Sequence, residues 1–145
     1  MKIRLEPVTV ASRAAVERLE TAPGQEGFVE SVAECLAEAD RRRCWRPVGV
    51  YDGDALIGFA MYGFFWEYLP FGRLWLDRRF QGRGYGRAAL AALLERLERE
   101  YHKKRIYLSV VEANRPAAAL YESFGFRFTG ERDTHGERVM CLRTR

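Results

Sequence analysis

The chain has 145 residues, a length that suits one domain, because two domains would each lie near the lower limit for an independent core. Its residues are 48% hydrophobic, 13% aromatic and 30% charged, which excludes a disordered chain and a small disulfide-held scaffold. The net charge of +4 is too mild to require a nucleic-acid partner, yet it is compatible with an anionic ligand. We therefore expect a single domain over residues 1–145.

The sequence indicates neither a membrane partner nor a metal. The longest uninterrupted apolar run covers residues 88–94, far short of a bilayer span, and the first residues are too polar for a secretory signal. The three cysteines, Cys35, Cys44 and Cys141, are odd in number and form no C-x-x-C pair, so neither disulfides nor a zinc site is suggested. We expect a cytoplasmic protein with no metal.

The first third of the chain predicts one strand and two helices. Alternation at Ile3 and Leu5 predicts a strand, and Thr9 is a suitable cap for a helix that carries Leu19. Apolar residues at spacings of three and four within residues 25–40 predict a second helix. Its other face is acidic, and the whole segment contains no basic residue.

Two hairpins are predicted. Residues 48–51 and 55–64 alternate around the turn at 52–54, whose Asp-Gly pair suits a primed hairpin turn. A second hairpin closes the chain, with strands at 126–131 and 139–142.

The region between the hairpins predicts a strand, a glycine loop and a helix in direct succession. After a loop that contains Pro70, residues 74–76 predict a short strand that leads into the glycine-rich segment 81–86. A long helix follows at once, because apolar residues repeat at helical spacing as far as Tyr101. Residues 106–110 alternate as a further strand.

A short helix then opens at residues 114–116 with a proline in its first turn and ends at Gly125. The pattern as a whole indicates a mixed α/β fold of about seven strands and four helices.

The glycine-rich segment 81–86 is suited to hold a phosphate. Main-chain N–H groups at a helix start have no partner within the helix and lie at the positive end of its dipole. Glycine at alternate positions lets a pyrophosphate approach the main chain, although a turn that needs glycine only for positive φ angles is the alternative. The residues assigned to this cradle are Arg78, Gln81, Gly82, Arg83, Gly84, Tyr85, Gly86 and Arg87, and Arg79 adds a fourth positive charge around it.

Two better-known phosphate loops do not fit this segment. The chain contains no G-x-x-x-x-G-K-[ST] motif, and a dinucleotide-binding fold would place its glycines after the first strand. An NTPase and a dehydrogenase are therefore excluded.

Two motifs occur in a fixed order. The first is Gln81-x-x-Gly84-x-Gly86 after a strand, and the second, about 30 residues downstream, is Asn114-x-x-Ala117-x-x-Leu120-Tyr121-x-x-x-Gly125-Phe126. Together they resemble the GNAT superfamily of acyl-CoA-dependent N-acetyltransferases. Four further segments are similar to the bacterial spermine/spermidine acetyltransferases within it: residues 46–51, 57–63, 106–110 and 136–140.

The resemblance implies a GNAT-like α/β (α+β) fold, with a mixed, mostly antiparallel sheet of about seven strands that is split between the fourth and fifth. It implies acetyl-CoA as the cosubstrate, with its pantetheine arm along Leu76 to Arg78 and its pyrophosphate on Gln81 to Gly86. It also implies that Asn114 hydrogen-bonds the cofactor and that Tyr121 stands beside its sulfur.

This sequence departs from the polyamine enzymes at one place. They carry a few more residues between the segment that corresponds to Trp75–Arg78 and the segment that corresponds to Arg79–Gly82. The shortening leaves open whether the strand keeps its usual bulge and where Asp77 points.

Acetyl transfer to an alkylamine requires a proton acceptor, because an amine with a pKa near 10 is almost wholly protonated at neutral pH. A carboxylate, or a water held by one, suits this role. Glu67 matches the polyamine enzymes at a position that faces the acceptor side, so the resemblance favours it over Asp77. The departing thiolate needs a proton, which Tyr121 is suited to supply; core packing is its alternative role. A main-chain N–H at or near Leu76 would serve the oxyanion.

The acidic second helix indicates a cationic acceptor. Carboxylates four residues apart, such as Glu30 and Glu34, repel each other weakly, and a polyamine would offset that repulsion; a solvated surface is the alternative. Trp45 and Phe65 are candidates for an aromatic slot that contacts an ammonium group, with core packing as their alternative.

The resulting expectation is acetyl-CoA-dependent N-acetylation of spermidine or spermine by direct attack, without a covalent acetyl-enzyme. Two alternatives stay open: another acceptor amine, such as an aminoglycoside-like compound, an amino acid or a protein N-terminus, and a non-catalytic acyl-CoA-binding module. The acidic helix beside residues 41–46 opposes a nucleic-acid partner. The exposed edges of a split sheet make a homodimer a reasonable expectation.

Overall fold

The computed structural model describes residues 1–20, 32–42, 44–63, 69–102, 104–133 and 136–143, and for residues 69–73 only the main chain. The strands are β1 (Ile3–Pro7), β2 (Trp45–Asp52), β3 (Ala55–Gly63), β4 (Leu69–Leu76), β5 (Arg105–Val110), β6 (Arg127–Arg132) and β7 (Arg138–Arg143). The helices are α1 (Val10–Glu17), α2 (Val32–Arg41), α3 (Tyr85–Tyr101) and α4 (Arg115–Ser123), with a single 3₁₀ turn at Arg78–Phe80.

One sheet contains all of these strands, in the spatial order β1-β2-β3-β4-β5-β7-β6. Every neighbouring pair is antiparallel except β4 and β5, which run parallel. The chain reaches β5 through the helix α3, as a parallel connection requires. The expected mixed, mostly antiparallel fold is confirmed.

The sheet divides between its fourth and fifth strands. Residues 69–71 of β4 pair with residues 106–108 of β5, and no later pairing of the two strands is present in the described chain. Beyond this point β4 stays beside β3 as far as Leu76, while β5 stays beside β7 as far as Val110. A four-stranded half and a three-stranded half therefore separate at one end of the sheet. We call the opening between β4 and β5 at this end the split.

A bulge in β4 lies where the two halves begin to separate. Tyr62 pairs with Phe71 and Met61 pairs with Arg73, so Gly72 is an extra residue on β4. A bulge bends its strand and increases the local twist, which moves β4 away from β5. The short connection after this strand therefore does not remove the bulge.

The expectation of a loop around Pro70 is wrong, because β4 already begins at Leu69. β3 and β5 flank this segment on its two sides and supply main-chain partners, which the local pattern does not reveal. A proline near the start of a strand costs few ladder hydrogen bonds.

The first hairpin forms as predicted. Strands β2 and β3 leave a two-residue loop, and its first residue, Gly53, has a φ of 60°, the sign that a primed turn requires. Thr9 caps α1 as predicted: its side chain accepts from the Ser12 N–H at 3.3 Å, and the Ser12 hydroxyl accepts from the Thr9 N–H at 2.9 Å.

Helices cover both faces of the sheet. On one face α3 buries Leu90, Leu93 and Leu97 completely, in a cluster that also contains Ile106 and Phe126. Burying each leucine side chain contributes roughly 1.5–3 kcal/mol to the free energy of folding.

On the other face Val16 of α1 and Leu36 of α2 pack with Phe59, Met61 and Trp75. Alternate residues of β3 belong to the two clusters, which is what opposite faces of one strand require. None of the described helices is long and apolar enough to cross a membrane.

Gly58 permits the close approach of β3 and β4, since a Cβ at this position would overlap the carbonyl oxygen of Trp75. We expect Gly58→Ala to lower the free energy of unfolding by about 1–3 kcal/mol, because a main-chain atom cannot move aside. Gly49→Ala is the matched control, since its Cβ would meet the mobile side-chain ends of Tyr51 and Leu56 at 3.0 and 3.2 Å. Urea denaturation of both variants measures the difference, and equal losses would contradict the steric argument.

Candidate active site

The main chain of β4 presents polar groups to the split. The N–H of Asp77 donates to the Ile57 carbonyl on β3 at 2.8 Å. Because main-chain groups of an extended strand alternate in direction, those of Leu74 and Leu76 point away from β3, toward the split. The Leu76 carbonyl accepts a 3.0 Å hydrogen bond from the Gln81 side chain. The Leu74 N–H and carbonyl and the Leu76 N–H therefore line the split.

The glycine loop connects this strand to the start of α3. Gly82 has a φ of 75°, and Gly84, the N-cap of α3, has a φ of 83°. Both values favour glycine, so the conformational explanation holds for these two positions. A Cβ at Gly82 would project into open space, so a ligand would have room beside this residue; the phosphate cradle stays a prediction.

Gly86 has a different role from the other two glycines. It lies in the first turn of α3, which begins at Tyr85. A Cβ there would contact Leu120 of α4 at 3.5 Å and Leu76 of β4 at 3.7 Å. This position is therefore where α3, α4 and the end of β4 meet.

The arginines around the loop differ in their partners. Arg78 pairs with Glu20 at 3.2 Å, and Arg87 donates to the Ser123 hydroxyl of α4 at 3.1 Å. Arg83 is exposed, with its guanidinium 6.0 Å from the centre of the Phe80 ring. Arg79 pairs with Asp77 at 2.8 Å. Of the four arginines that the sequence places around the cradle, three thus have a partner side chain.

The side chain of Tyr85 points away from the loop, to the first hairpin. Its hydroxyl donates to an Asp52 carboxylate oxygen at 2.7 Å, and the other oxygen accepts from the Lys2 N–H at 2.8 Å. These two hydrogen bonds lower the pKa of Asp52, and the bond to Asp52 raises the pKa of Tyr85. The sequence reading missed Asp52 because no local signal connects a turn residue to a helix start 33 residues later.

The two candidate site residues of the second motif lie at the start of α4 and within it. Asn114 is the N-cap: its side-chain oxygen accepts from the Ala117 N–H at 3.3 Å, which directs its amide nitrogen to other contacts. Tyr121 is 7% exposed and packs with its ring 6.0 Å from that of Phe126. Leu120, next to it, reaches toward Gly86 and Leu76. The structure thus brings α4 beside the split.

Asp77 is the buried carboxylate of this region, at 2% exposure. One oxygen accepts from the Glu20 N–H at 3.0 Å. The other accepts from the main-chain and side-chain nitrogens of Arg79, at 3.0 and 2.8 Å. Burial raises the pKa of Asp77, but the hydrogen bonds from the Arg79 side chain and from the Glu20 and Arg79 main chains outweigh it and hold the pKa below its ordinary value.

The predicted acceptor residues are described only in part. Glu34 is exposed in the first turn of α2. Trp45 is half-buried at the start of β2 and packs against the hydrophobic cluster that α1 and α2 form with β3. Glu30, Phe65 and Glu67 lie outside the described residues.

Comparison with known proteins identifies the class. A model of the acetyltransferase (GNAT) family matches residues 13–126. The spermine/spermidine N(1)-acetyltransferase of Bacillus subtilis (strain 168) is 45% identical over an alignment of 148 positions, which spans 97% of this chain and 97% of that protein. The chain therefore belongs to the acetyltransferase (GNAT) family, as its two motifs predict.

Solved structures agree with this fold. The spermidine N-acetyltransferase of Vibrio cholerae, in complex with CoA and spermine, superposes with a TM-score of 0.76 at 19% identity, over 98% of this chain and 95% of that one. The PaiA N-acetyltransferase of Thermoplasma acidophilum, in complex with coenzyme A, gives a TM-score of 0.72 at 16% identity, over 99% and 100%. At these identities the likeness shows the fold.

The lowered pKa of Asp77 predicts acid-sensitive stability. A carboxylate whose pKa is lower in the folded state stabilises the fold above its unfolded pKa of about 3.9, and this stabilisation is lost as the pH falls through the folded pKa. The difference in free energy of unfolding between wild type and Asp77→Asn should therefore be largest near neutral pH and shrink below pH about 4. Urea denaturation between pH 7 and pH 3 measures it, with Asp54→Asn in the exposed hairpin turn as control. A pH-independent difference would contradict the prediction.

Proposed function

We propose that this protein is an N-acetyltransferase that transfers the acetyl group of acetyl-CoA to a primary amine of a polyamine such as spermidine or spermine. The choice of a polyamine as the acceptor rests on the 45% identity, over 97% of both chains, to the Bacillus subtilis spermine/spermidine N(1)-acetyltransferase. The observation that supports the acetyl donor is the geometry of the split and the glycine loop, which fits a pantetheine joined to a pyrophosphate.

The glycine loop fits the pyrophosphate of coenzyme A. Gly82 leaves open space above the main chain, and the first N–H groups of α3 follow Gly84 directly. Such groups favour an anion through their hydrogen bonds and through the helix dipole. Arg83, exposed beside the loop, adds a positive charge. We assign Gln81 to Arg87 and Arg78 to this part of the site, with Tyr85 contributing its main chain.

The split fits the pantetheine arm. Polar main-chain groups in a protein interior require hydrogen-bond partners, and Leu74 and Leu76 direct theirs into the split. An amide-containing arm that lies along β4 would complete the strand edge, as an added strand does. The Asn114 side chain, already oriented by its capping bond, supplies a hydrogen bond from the opposite side of the split.

Acetyl-CoA supplies an activated thioester when bound, and the protein has three roles in the reaction. First, it accepts a proton from the ammonium form of the acceptor amine, and we assign this role to Glu67, directly or through a water. A main-chain N–H of β4 at or near Leu76 would stabilise the oxyanion that develops on the acetyl carbonyl. Tyr121 would donate a proton to the departing thiolate.

The acceptor would enter from the face that carries α1 and α2. Glu34 gives this side negative charge that suits a polycation. We also assign Glu30 to the acceptor for its charge, and Trp45 and Phe65 for contact with an ammonium group. We further propose that residues 1–145 act as one GNAT domain in the cytoplasm, as a homodimer.

An amine panel tests the proposed function. We expect kcat/KM for spermidine and spermine to exceed that for a matched monoamine such as butylamine by at least tenfold, because the monoamine lacks the second charge that the acidic side would bind. Initial rates of CoA release measure the comparison. Equal kcat/KM values across the panel would contradict the polyamine acceptor and favour an acetyltransferase for another amine. If no amine is acetylated, the result favours a non-catalytic acyl-CoA-binding module.

The phosphate cradle is tested by a matched pair of substitutions. Gly84→Glu and Gly84→Gln impose the same left-handed strain at a φ of 83°, and they differ only in charge. We expect the Glu variant to bind coenzyme A at least tenfold more weakly than the Gln variant, because its carboxylate would repel the pyrophosphate. Calorimetric titration with coenzyme A measures both. Equal affinities for the two variants would show that the pyrophosphate does not bind at this loop.

Tyr121→Phe separates catalysis from binding. Loss of a general acid should lower kcat by a factor of about 10²–10⁴, while the affinity for coenzyme A stays the same. Tyr51→Phe, on β2, is the control and should keep full activity. An unchanged kcat in Tyr121→Phe would contradict the role of this tyrosine as proton donor and indicate that it serves in core packing.

A further inference from the structure

The first hairpin holds the start of α3 through the side chain of Asp52. This residue ends β2, and one of its carboxylate oxygens accepts from the Tyr85 hydroxyl at 2.7 Å. The other oxygen accepts from the Lys2 N–H at 2.8 Å. Asp52 therefore links the β1 edge of the sheet to the first residue of α3.

The hairpin end of this link is fixed by the sheet. Asp52 pairs with Ile3 of the neighbouring strand β1. The N–H of Gly53, the next residue, donates to the Lys2 carbonyl at 3.1 Å, so the residue that donates to Asp52 is itself held in place. The carboxylate of Asp52 is thus a fixed acceptor for the start of α3.

The other end of the link controls the shape of the glycine loop. The ring of Tyr85 packs edge-to-face with that of Phe80, with the ring centres 5.7 Å apart. These two residues flank positions 81–84, so their contact brings the two ends of the loop together. A Cβ at Gly84 would lie 3.7 Å from the Met1 side chain, so the segment before β1 also reaches the loop. The position of Tyr85 therefore fixes the end of the loop from which α3 begins.

The groups that Tyr85 positions are the first N–H groups of α3. The hydrogen-bond ladder of the helix starts with the bond from the Ala88 N–H to the Gly84 carbonyl at 3.2 Å. The N–H groups of Tyr85, Gly86 and Arg87 precede this ladder, and such groups are the donors that a helix start offers to an anion. Because a hydrogen bond weakens steeply when it is misaligned, a rotation of the first turn would weaken several of these bonds at once.

We propose that Asp52 is a positioning residue for coenzyme A, which holds the Tyr85 hydroxyl so that the first N–H groups of α3 face the pyrophosphate. The inference rests on the proposed function, which assigns these N–H groups to that ligand. The contacts of Asp52 are present before any ligand binds, so they act by reducing the entropy that the loop loses on binding. The negative charge of Asp52 works against this role, because it repels a pyrophosphate.

Two substitutions of Asp52 separate its position from its charge. Asp52→Asn keeps both contacts: the amide oxygen accepts from the Lys2 N–H, and the NH₂ group donates to the Tyr85 hydroxyl oxygen, which can also accept. Asp52→Ala removes both contacts, and each substitution removes the same charge. Tyr85→Phe removes only the hydroxyl and keeps the ring beside Phe80. Asp54→Ala is the control, because it removes a charge from an exposed residue of the same turn.

The experiment measures the affinity for coenzyme A by calorimetry, together with the steady-state constants for acetyl-CoA and spermidine. We expect Asp52→Ala and Tyr85→Phe each to weaken coenzyme A binding about fivefold, the typical effect of losing one hydrogen bond. The double variant should bind no more weakly than Asp52→Ala, because both substitutions break the same contact. Asp52→Asn and Asp54→Ala should stay within about twofold of wild type.

The kinetic constants separate a positioning role from a general loss of structure. The KM for acetyl-CoA should rise in Asp52→Ala and Tyr85→Phe, whereas kcat at saturating acetyl-CoA and the KM for spermidine should stay the same, because the lost interaction holds the cofactor equally before and during the reaction.

Three outcomes would overturn the proposal. They are a coenzyme A affinity in Asp52→Ala that equals or exceeds that of wild type, an Asp52→Asn variant that binds as weakly as Asp52→Ala, and single effects that multiply in the double variant. If Asp52→Ala does not fold, Tyr85→Phe decides the matter, and a wild-type affinity in that variant would overturn the proposal. Failure of wild type to bind coenzyme A would instead remove the proposed function.

Discussion

The structure depends on the parting of two parallel strands. β4 and β5 pair only over residues 69–71 and 106–108, and the bulge at Gly72 turns β4 away from its neighbour at that point. A sheet that opens in this way leaves main-chain donors and acceptors without the partners that a continuous ladder provides. In the proposed function an amide-containing ligand supplies the missing bonds. Both strands remain anchored on their outer sides by β3 and β7.

The glycine loop beside the split is held from three directions. Asp52 fixes the Tyr85 side chain from the first hairpin, Asp77 joins the end of β4 to Glu20, and Arg87 reaches the Ser123 hydroxyl on α4. Each contact is modest alone, but together they limit the conformations that the loop adopts before a ligand binds. Fixing a loop in its binding conformation reduces the entropy lost on association. The glycine segment is in this way held in a defined conformation.

Local patterns predicted the elements that have strong local causes. The helical spacing that ends at Tyr101, the cap at Thr9 and the primed turn at Gly53 all appear in the structure, because each depends on residues a few positions apart. The strand start at Leu69 was missed, since its cause is the presence of β3 and β5 on either side. The shortened connection leaves the orientation of Asp77 open, and the residue that fixes it, Glu20, lies 57 positions away in the sequence.

The sequence by itself determined the class of fold and the family. It also determined that a strand, a glycine loop and a helix follow one another. The reason is that two spaced motifs and the hydrophobic periodicity can be read directly from the order of the residues. Only the tertiary structure decided where the sheet opens, that Gly86 packs against Leu76 and Leu120, and that the carboxylate of Asp77 serves as an anchor. The physical reason is that hydrogen-bond direction and burial depend on neighbours distant in sequence, whereas propensity and spacing do not.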